Sequence, residues 1–461
     1  MTGEATTIKR PPWMWLLALL LIAVAVSPLV IEWLGNVDDQ RLVDLDVYRT
    51  GGQAILEGRP VYDFVTPAPQ LLPFTYPPIA AMLATPLAMM SWPAAQWVWT
   101  ALVFVTLGVA VAHGFRALLG RTSPERIAPG RSAAAPAADP VADPVADPAV
   151  DDATADPAVD AAVAGRGVLE RAGALGLPVV FAVLTIACAY LMPIRDQVRF
   201  GQVDILLVAL CLADCLARRP VWPRGMLIGL AVAVKLTPGV FLIYLLVTGF
   251  GPGARREQRR TFFMAAFTAA LLTLLPFLVI PADASDFWFH ALLDPERLGA
   301  NAATTNQSVR GMLIRLYLPD WATSLLWLAL VAAIAWYGFR HARRAMFDGH
   351  AVTAVALVGL MAVLLSPVAW IHHLAWVVVV LGALAGDGRD PVRVRVAAGV
   401  WLYYVVPVPW WGVSIKAAEI PLLSPVLGKI VQNGFGLGAL VLVWLLGTWL
   451  PRRREIFRTL P

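Results

Sequence analysis

The sequence predicts an all-α integral membrane protein with about ten full transmembrane helices and two broken or re-entrant helix pairs. Of the 461 residues, 59% are hydrophobic and only 15% are charged, and the mean hydropathy is +0.69. A soluble domain would usually have about a quarter of its residues charged. Apolar runs of about 18 residues or more, each long enough to cross the hydrocarbon of a bilayer, recur between residues 13 and 450.

The first apolar run begins at Trp13 and follows Lys9 and Arg10, as the apolar part of a signal peptide does. Glu32 and Trp33 end the run, where a cleavage site would require small residues. The run is therefore predicted to be a retained first helix.

The basic residues predict the orientation, because loops rich in Lys and Arg remain in the cytoplasm. Six basic loops are predicted to lie inside together with the N-terminus: residues 116–131, 218–224, 255–260, 340–344, 393–395 and 452–454. The loops between them hold acids, amides, aromatic residues and two histidines, and are predicted to lie outside. The formal net charge of +5 is thus interpreted as an orientation signal and not as a nucleic-acid-binding surface.

Two stretches do not fit simple spans. Residues 77–90 and 97–119 cannot both cross between an outer loop and the basic loop that follows, so one of them is predicted to be re-entrant. Residues 226–250 lie between two basic loops, and the sequence KLTP at residues 235–238 interrupts them. This interruption would let the chain enter and leave on the same side, which is tolerated only inside protein or beside a wet cavity.

The predicted organisation has four parts. Residues 1–119 hold the first helix, a catalytic outer loop and the helices that follow, and residues 120–172 are Ala/Asp/Pro-rich without apolar periodicity. The latter are predicted to form a disordered cytoplasmic loop. Residues 173–450 form the remaining membrane body, and residues 451–461 form a cytoplasmic tail. The three cysteines lie in apolar runs without zinc-site spacing and are predicted to pack.

The loop after the first helix holds two candidate bases. Residues 43–48 read VDLDVY and place Asp44 and Asp46 close to the predicted outer membrane surface. A carboxylate in a partly desolvated site can act as a general base, and the alternative is an ordinary exposed acid. The loop ends in LPFTYPP at residues 72–78, whose rings can stack on a sugar or a polyprenyl chain or form an interfacial aromatic belt.

Three positive residues are candidates for binding phosphate. Arg199 and Arg310 lie in predicted outer loops, and guanidinium groups bind phosphate through paired donors. Lys235 lies inside the predicted helix break, and an ionisable residue at membrane depth suggests a function. For each of the three, snorkelling to the interface is the alternative.

Two adjacent histidines complete the candidate chemistry. His372 and His373 follow Trp370 at a predicted outer helix end. Adjacent side chains point in different directions on an α-helix, so hydrogen bonding to phosphate or sugar is favoured over metal chelation. The sequence contains no Walker, dinucleotide-fold or kinase motif, which disfavours a nucleotide-sugar donor. No cofactor and no metal ion are predicted.

Six motifs in order suggest a family: VDLDVY at 43–48, LPFTYPP at 72–78, FGQVD at 200–204, VKLTP at 234–238, NQSVRG at 306–311 and LLSPVAWIHH at 364–373. Together they resemble glycosyltransferase family 87, the actinobacterial membrane enzymes that use polyprenyl-phosphate sugars. The resemblance extends to about residue 376. It implies a GT-C-type fold in the plasma (inner) membrane, with an active site that faces the periplasm or the cell exterior.

The resemblance also implies the reaction. Mannose is expected to pass with inversion from polyprenyl-phosphate-mannose to a mannose hydroxyl of a lipid-linked mannoside, either phosphatidylinositol mannoside or lipomannan, to form an α-1,2 linkage. Asp44 matches the family's catalytic aspartate and is predicted to be the base. The donor phosphate is expected to contact positive residues and histidines: Lys235, Arg310, His372, His373 and Arg199. The sugar or the acceptor is expected to contact polar and aromatic side chains: Asp46, Tyr48, Tyr76, Gln202, Asn306, Gln307 and Trp370.

Two other functions remain open on the sequence. An arabinofuranosyltransferase that uses polyprenyl-phosphate-arabinose is the alternative enzyme, although the motifs at residues 74–78 and 235–238 match it less well. A membrane transporter also uses broken helices with buried charge, but the chain shows no internal repeat of halves. The sequence leaves open the acceptor glycolipid, the oligomeric state and the choice between Asp44 and Asp46 as base.

Overall fold

The structure is a computed structural model that describes residues 12–37, 40–121, 176–294, 297 and 299–459. Within these residues the chain forms helices and connecting turns, with isolated β-bridges but no strand. Most of the predicted cytoplasmic loop at residues 120–172 lies outside the described residues.

The helices follow one another closely along the chain. The first part forms α1 (Trp13–Leu34), α2 (Val43–Leu56), α3 (Pro78–Ala88), α4 (Trp92–Gly114), α5 (Arg116–Arg121), α6 (Gly176–Ala189), α7 (Met192–Phe200) and α8 (Asp204–Leu216). The middle part forms α9 (Met226–Val234), α10 (Val240–Gly249), α11 (Arg256–Val279), α12 (Pro281–Phe289), α13 (Val309–Ile314) and α14 (Asp320–Phe347). The last part forms α15 (Ala351–Leu364), α16 (Val377–Ala385), α17 (Pro391–Val405), α18 (Val408–Ala417), α19 (Leu423–Gln432), α20 (Gly434–Trp444) and α21 (Leu450–Thr459).

Five described helices are long and apolar enough to cross a membrane: α1, α4, α11, α14 and the continuous helix Gly434–Phe457. Two bent pairs, α6 with α7 and α17 with α18, raise the number to seven if each pair is one span. By length and composition the described residues therefore do not reach the predicted ten full spans. Several apolar runs form helices that are shorter than a bilayer crossing, among them α3, α15 and α16.

The interior of the protein is built around α15 and α16. Every residue of α15 from Thr353 to Leu364 is buried, and so is every residue of α16. A helix that is apolar on all sides belongs either in lipid or in a protein core, and sequence hydropathy does not separate the two. Burial of all their faces identifies α15 and α16 as core helices.

The helix break predicted at residues 235–238 is present and forms a hairpin. α9 ends at Val234, the backbone of Lys235 is extended, and a 3₁₀ turn at Thr237–Gly239 leads into α10. Gly225, before α9, lies against the backbone of Thr261, and Gly249 at the end of α10 lies against Arg259. Both ends of the hairpin therefore pack on the first turns of α11, so the chain enters and leaves at the same end of that helix.

Gly225 shows why this packing needs glycine. Its φ of +103° lies in the left-handed region, and an added Cβ would overlap the carbonyl oxygen of Thr261. The close approach of α9 to α11 therefore depends on the missing side chain.

Basic residues tie the helix ends together at one end of the molecule. Arg116 donates a hydrogen bond to the carbonyl oxygen of Leu216 at 3.1 Å, and Arg453 donates two to Asp390 at 2.7 and 2.9 Å. Leu216 ends α8, and Asp390 follows α16. The opposite ends of α8, of the α9–α10 hairpin and of α16 converge on the candidate site.

Candidate functional site

A cavity of about 760 Å³ lies where the start of α2, the end of α7, the break after α9 and the segment before α16 meet. Its volume is within the range of cavities that bind small molecules. Its wall includes six polar or ionisable side chains used below: Asp44, Asp196, Gln202, Lys235, His372 and His373.

A second cavity, of about 1010 Å³, lies at the basic end of the molecule. The ionisable residues of its wall are Arg116, Arg218, Arg389, His113 and Asp387. This set is suited to bind an anion but does not bring a buried carboxylate base and a lysine together. The candidate chemistry therefore belongs to the first cavity.

Asp44 lies in the first turn of α2, where the helix dipole favours a negative charge. The amide of Gln202 is hydrogen-bonded to its carboxylate. Burial raises the pKa of Asp44 from 3.8 to about 7, and the hydrogen bond from Gln202 and the charge of Lys235 oppose only part of this rise. A carboxyl group with a pKa near neutrality is well matched to the role of a general base.

Two tyrosines fix the orientation of Gln202. Tyr48 Oη donates to Gln202 Oε1 at 3.0 Å, and Tyr76 Oη lies 3.3 Å from the same oxygen. The two hydroxyl groups lie 2.9 Å apart. Because the amide oxygen already accepts from the tyrosines, the amide nitrogen is the group that faces Asp44. The three residues thus hold Asp44 in place. Tyr76 and Gln202 also line the cavity, so their contact with the sugar stays a prediction.

Lys235 provides the positive charge of the cavity. Its Nζ donates to Asp204 Oδ1 at 2.7 Å and lies 3.0 Å from His373 Nε2. It also lies 5.4 Å from the centre of the Tyr76 ring. Only 12% of the Lys235 side chain is exposed. A buried ammonium ion needs a counter-ion, and Asp204 supplies it.

The two histidines converge on the same carboxylate. His372 Nε2 and His373 Nε2 lie 3.7 and 3.8 Å from Asp204 Oδ2, and the two ring centroids are 4.7 Å apart. The expectation that adjacent histidines diverge is wrong here, because they lie in a 3₁₀ turn, Ile371–Trp376, and not in an α-helix. Gln197 fixes this turn by donating to the carbonyl oxygen of His372 at 2.8 Å.

Asp204, His372 and His373 also have the spacing of metal ligands, with ligand atoms within 4.8 Å of one another. The ammonium group of Lys235 already contacts two of these three residues. A divalent cation added here would lie beside that ammonium with a single carboxylate to balance both charges. We therefore describe the three side chains as the environment of Lys235.

Tyr48 does not line the cavity, and neither do five other predicted contacts, whose positions follow. The guanidinium of Arg199 stacks on the ring of Trp33 at 5.0 Å, and that of Arg310 stacks on Trp327 at 5.7 Å. Each guanidinium thus has an aromatic partner, and its contact with the donor phosphate stays a prediction. Asp46 lies on α2 within the electrostatic range of Arg49.

The remaining two are the amides Asn306 and Gln307, which are fully buried and bonded within the protein. Asn306 Oδ1 accepts from the backbone N–H of Ala369 at 3.1 Å, and Gln307 Oε1 accepts from that of Gly436 at 2.9 Å. These bonds join separate segments of the chain. Trp370, in contrast, lines the cavity as predicted.

Three ionisable residues of the cavity region were not predicted from the sequence. Asp196 and Arg297 line the cavity wall, and Asp204 holds Lys235. Asp204 ends the motif FGQVD at residues 200–204, and Asp196 lies shortly before it. An acidic residue at membrane depth indicates a function, so both aspartates could have been predicted from the sequence.

Comparison with known proteins gives a consistent assignment. The model of glycosyltransferase family 87 matches residues 74–147 and 158–367. A relative from Mycobacterium tuberculosis, named polyprenol-phosphate-mannose-dependent alpha-(1-2)-phosphatidylinositol mannoside mannosyltransferase, is 33% identical over 86% of this chain and 82% of its own length. A relative of the same name from Mycolicibacterium smegmatis is 34% identical over 79% and 76%. Another from M. tuberculosis, named for phosphatidylinositol pentamannoside, is 28% identical over 80% and 72%.

Proposed function

Because the chain belongs to glycosyltransferase family 87, we propose that it transfers mannose from polyprenyl-phosphate-mannose to a mannose hydroxyl of a phosphatidylinositol mannoside. The transfer inverts the anomeric centre and forms an α-1,2 linkage. The names of the relatives support the donor, the linkage and the acceptor class. Lipomannan is an acceptor of the same chemistry, since it also presents mannose hydroxyls on a lipid anchor.

The observation that carries this proposal is the presence of Asp44 and Lys235 in one cavity wall. The reaction needs a base for the attacking hydroxyl and a positive group for the departing phosphate. Asp44 has a pKa of about 7, so that it is substantially ionised at neutral pH and still basic enough to accept a proton.

The chemical step can be written with these two groups. A hydroxyl oxygen of the acceptor attacks the anomeric carbon of the donor mannose, and its proton passes to Asp44. The bond between that carbon and the phosphate oxygen breaks, and the electron pair leaves with polyprenyl phosphate. Lys235 donates a hydrogen bond to the phosphate as its charge grows, and His373 lies next to the same ammonium group. Attack opposite the leaving group gives inversion.

The orientation of the cavity is part of the proposal. Loops rich in Lys and Arg remain in the cytoplasm, and the basic side chains lie at the end of the molecule opposite the cavity. The cavity would then open at the periplasmic face of the plasma membrane. The donor lipid and a lipid-anchored acceptor both reach such a site from the bilayer.

The test is transfer by the purified protein in lipid nanodiscs. Polyprenyl-phosphate-mannose with labelled mannose is supplied together with phosphatidylinositol mannoside, and polyprenyl-phosphate-arabinose is supplied in a parallel reaction. We expect labelled glycolipid that α-1,2-mannosidase cleaves, and release of polyprenyl phosphate only when acceptor is present. Substitution of the exposed Asp63 by Asn is the matched control for Asp44→Asn. Transfer of arabinose without transfer of mannose would replace the proposed donor.

A further inference from the structure

The larger cavity, of about 1010 Å³ at the basic end of the molecule, has no part in the proposed chemical step. It lies where the last turn of α4, the start of α5, the end of α8 and the loop after α16 meet. Arg116 Nη1 donates to the carbonyl oxygen of Leu216 at 3.1 Å and so joins two of these segments. The cavity is therefore a concave site formed by segments that contact one another.

The wall of this cavity carries an excess of positive charge. Its guanidinium groups belong to Arg116, Arg218 and Arg389 and its carboxylate to Asp387, so three positive charges less one negative charge leave a net charge of +2. Arg389 Nε lies 3.6 Å from Asp387 Oδ2. Within the part of the chain that the structure describes, no carboxylate lies within ion-pair distance of Arg116 or Arg218. These two guanidinium groups thus have no counter-ion there.

Arg116 and Arg218 also act on each other. Partial burial, and then the like charge of Arg218, lower the pKa of Arg116 below its ordinary value. Both effects disfavour the charged form of Arg116, and an anion bound in the cavity would offset them. The cavity therefore favours a negatively charged ligand.

The position of the cavity along α4 indicates a lipid and not a soluble anion. α4 is long and apolar enough to cross a membrane, and the cavity begins at Ala112 in its last turn. A helix of this length ends where the hydrocarbon of a bilayer meets the headgroups. Apolar side chains line the cavity beside the arginines: Ala112, Ala117, Leu216 and Ala217. Basic pockets between transmembrane helices at this level bind anionic headgroups, and guanidinium groups bind their phosphate.

We propose that this cavity binds the headgroup of an anionic phospholipid, whose phosphodiester accepts hydrogen bonds from Arg116 and Arg218. The glycerol and the first acyl carbons then lie against the alanines and Leu216. The site is separate from the cavity that holds Asp44 and Lys235, and it does not depend on the proposed reaction. A lipid bound there contacts α4, α8 and the loop before α17 together, so it stabilises the folded protein.

The experiment titrates phosphatidylglycerol into the purified full-length protein in detergent. Bound lipid is measured by native mass spectrometry and stability by Tm. The comparison ligands are phosphatidylcholine, which has the same phosphodiester in a zwitterionic headgroup, and inorganic phosphate. The variants are Arg116→Gln and Arg218→Gln. Arg260→Gln is the matched control, because Arg260 is exposed near the start of α11, at the same end of the molecule, and does not line the cavity.

In the wild type, phosphatidylglycerol should bind more tightly than phosphatidylcholine and should raise Tm, because a ligand of the folded state stabilises it. Arg116→Gln and Arg218→Gln should each weaken phosphatidylglycerol binding roughly fivefold, as for the loss of one basic residue beside an anionic lipid. Arg260→Gln should weaken it by less than about twofold. Arg218→Gln is the decisive variant, because Arg116 also holds the carbonyl of Leu216 and its loss lowers Tm without any lipid.

Wild-type affinity for phosphatidylglycerol in Arg218→Gln would overturn the assignment, and so would an equal loss of affinity in Arg260→Gln. Displacement of phosphatidylglycerol by inorganic phosphate at equal concentration would assign the cavity to a soluble anion. A further variant changes the aspartates of residues 139–160 to Asn. Unchanged lipid binding in this variant supports the lipid site. Tighter lipid binding that disappears when Arg218→Gln is added would instead make the chain's own acidic segment the occupant. None of these outcomes bears on mannosyl transfer, which is assayed separately.

Discussion

Replacing Asp44 with Asn should abolish most activity while making the folded protein more stable at high pH. Asn keeps the shape of the side chain and an oxygen that accepts from Gln202, but it cannot take a proton from the acceptor hydroxyl. General bases typically contribute 10²- to 10⁴-fold, so turnover should fall on the order of 100-fold or more. Expression and donor binding should persist.

The stability effect follows from the pKa of Asp44, which burial raises from 3.8 to about 7. The folded state binds this proton more tightly than the unfolded state does, so the stability of wild-type protein declines as pH rises from about 4 to about 7. A difference of about three pKa units corresponds to at most about 4 kcal/mol of folding free energy, and the contact of Asp44 with the cavity reduces this amount. Asp44→Asn lacks this penalty, so its Tm should exceed the wild-type Tm at pH 8 and approach it at pH 5.

Two measurements test this reasoning on the same purified samples. In the wild type, kcat/KM for the acceptor should rise with pH and level off above about 7, as Asp44 loses its proton. A melting series from pH 5 to pH 8 should show the gap between wild type and Asp44→Asn widening with pH. The reasoning is refuted if the rate is independent of pH over this range. Near-normal turnover in Asp44→Asn, together with an inactive Asp46→Asn, would transfer the role of base to Asp46.

Three other perturbations probe charges that the structure pairs. Lys235→Met should weaken binding of polyprenyl phosphate and lower turnover, and unchanged affinity for that product would remove Lys235 from the phosphate site. Asp204→Asn should cost roughly 3–5 kcal/mol of stability because it leaves the Lys235 ammonium buried and unpaired. The double variant with Lys235→Met should recover stability but not activity. Tm and turnover of the single and double variants, measured together, test this prediction. At the basic end, burial alone would raise the pKa of Asp390, but the hydrogen bonds from Arg453 and from backbone N–H groups hold that pKa below its ordinary value. The Asp390–Arg453 pair therefore stabilises the folded protein at pH values above the pKa of Asp390 in the unfolded chain, which is near 4. This contribution is lost as the pH falls through the pKa of Asp390 in the folded protein. The Tm of Arg453→Ala should therefore converge with the Tm of the wild type at low pH.

The sequence predicted the class of fold better than the number of spans. An apolar, weakly charged chain requires a membrane, and Lys235 followed by a proline marks a helix break because both are costly inside an apolar helix. The predicted count of about ten spans is not confirmed by the described residues, for a physical reason. The helices α15 and α16 are apolar on every side, and hydropathy alone does not show that protein rather than lipid surrounds them.

The candidate site was predicted in part, and the missed portion depends on contacts between distant segments. Asp44, Lys235 and the two histidines were identified because their residue types carry chemistry at the outer ends of predicted helices. Asn306 looked like a sugar ligand for the same reason, yet it bonds to the backbone before α16. Residue type does not tell whether an amide faces a ligand or the protein's own backbone.

The arrangement of charges explains why a lysine already paired with Asp204 can still assist the reaction. The donor phosphodiester carries one negative charge, and the released polyprenyl phosphate carries two. Asp44 begins ionised and ends protonated, so the reaction moves one negative charge across the sugar from Asp44 towards Lys235. The attraction of Lys235 for the site's negative charge is therefore stronger after transfer than before it. Since only interactions that strengthen along the reaction lower its barrier, Lys235→Met should reduce kcat by a larger factor than it reduces donor affinity.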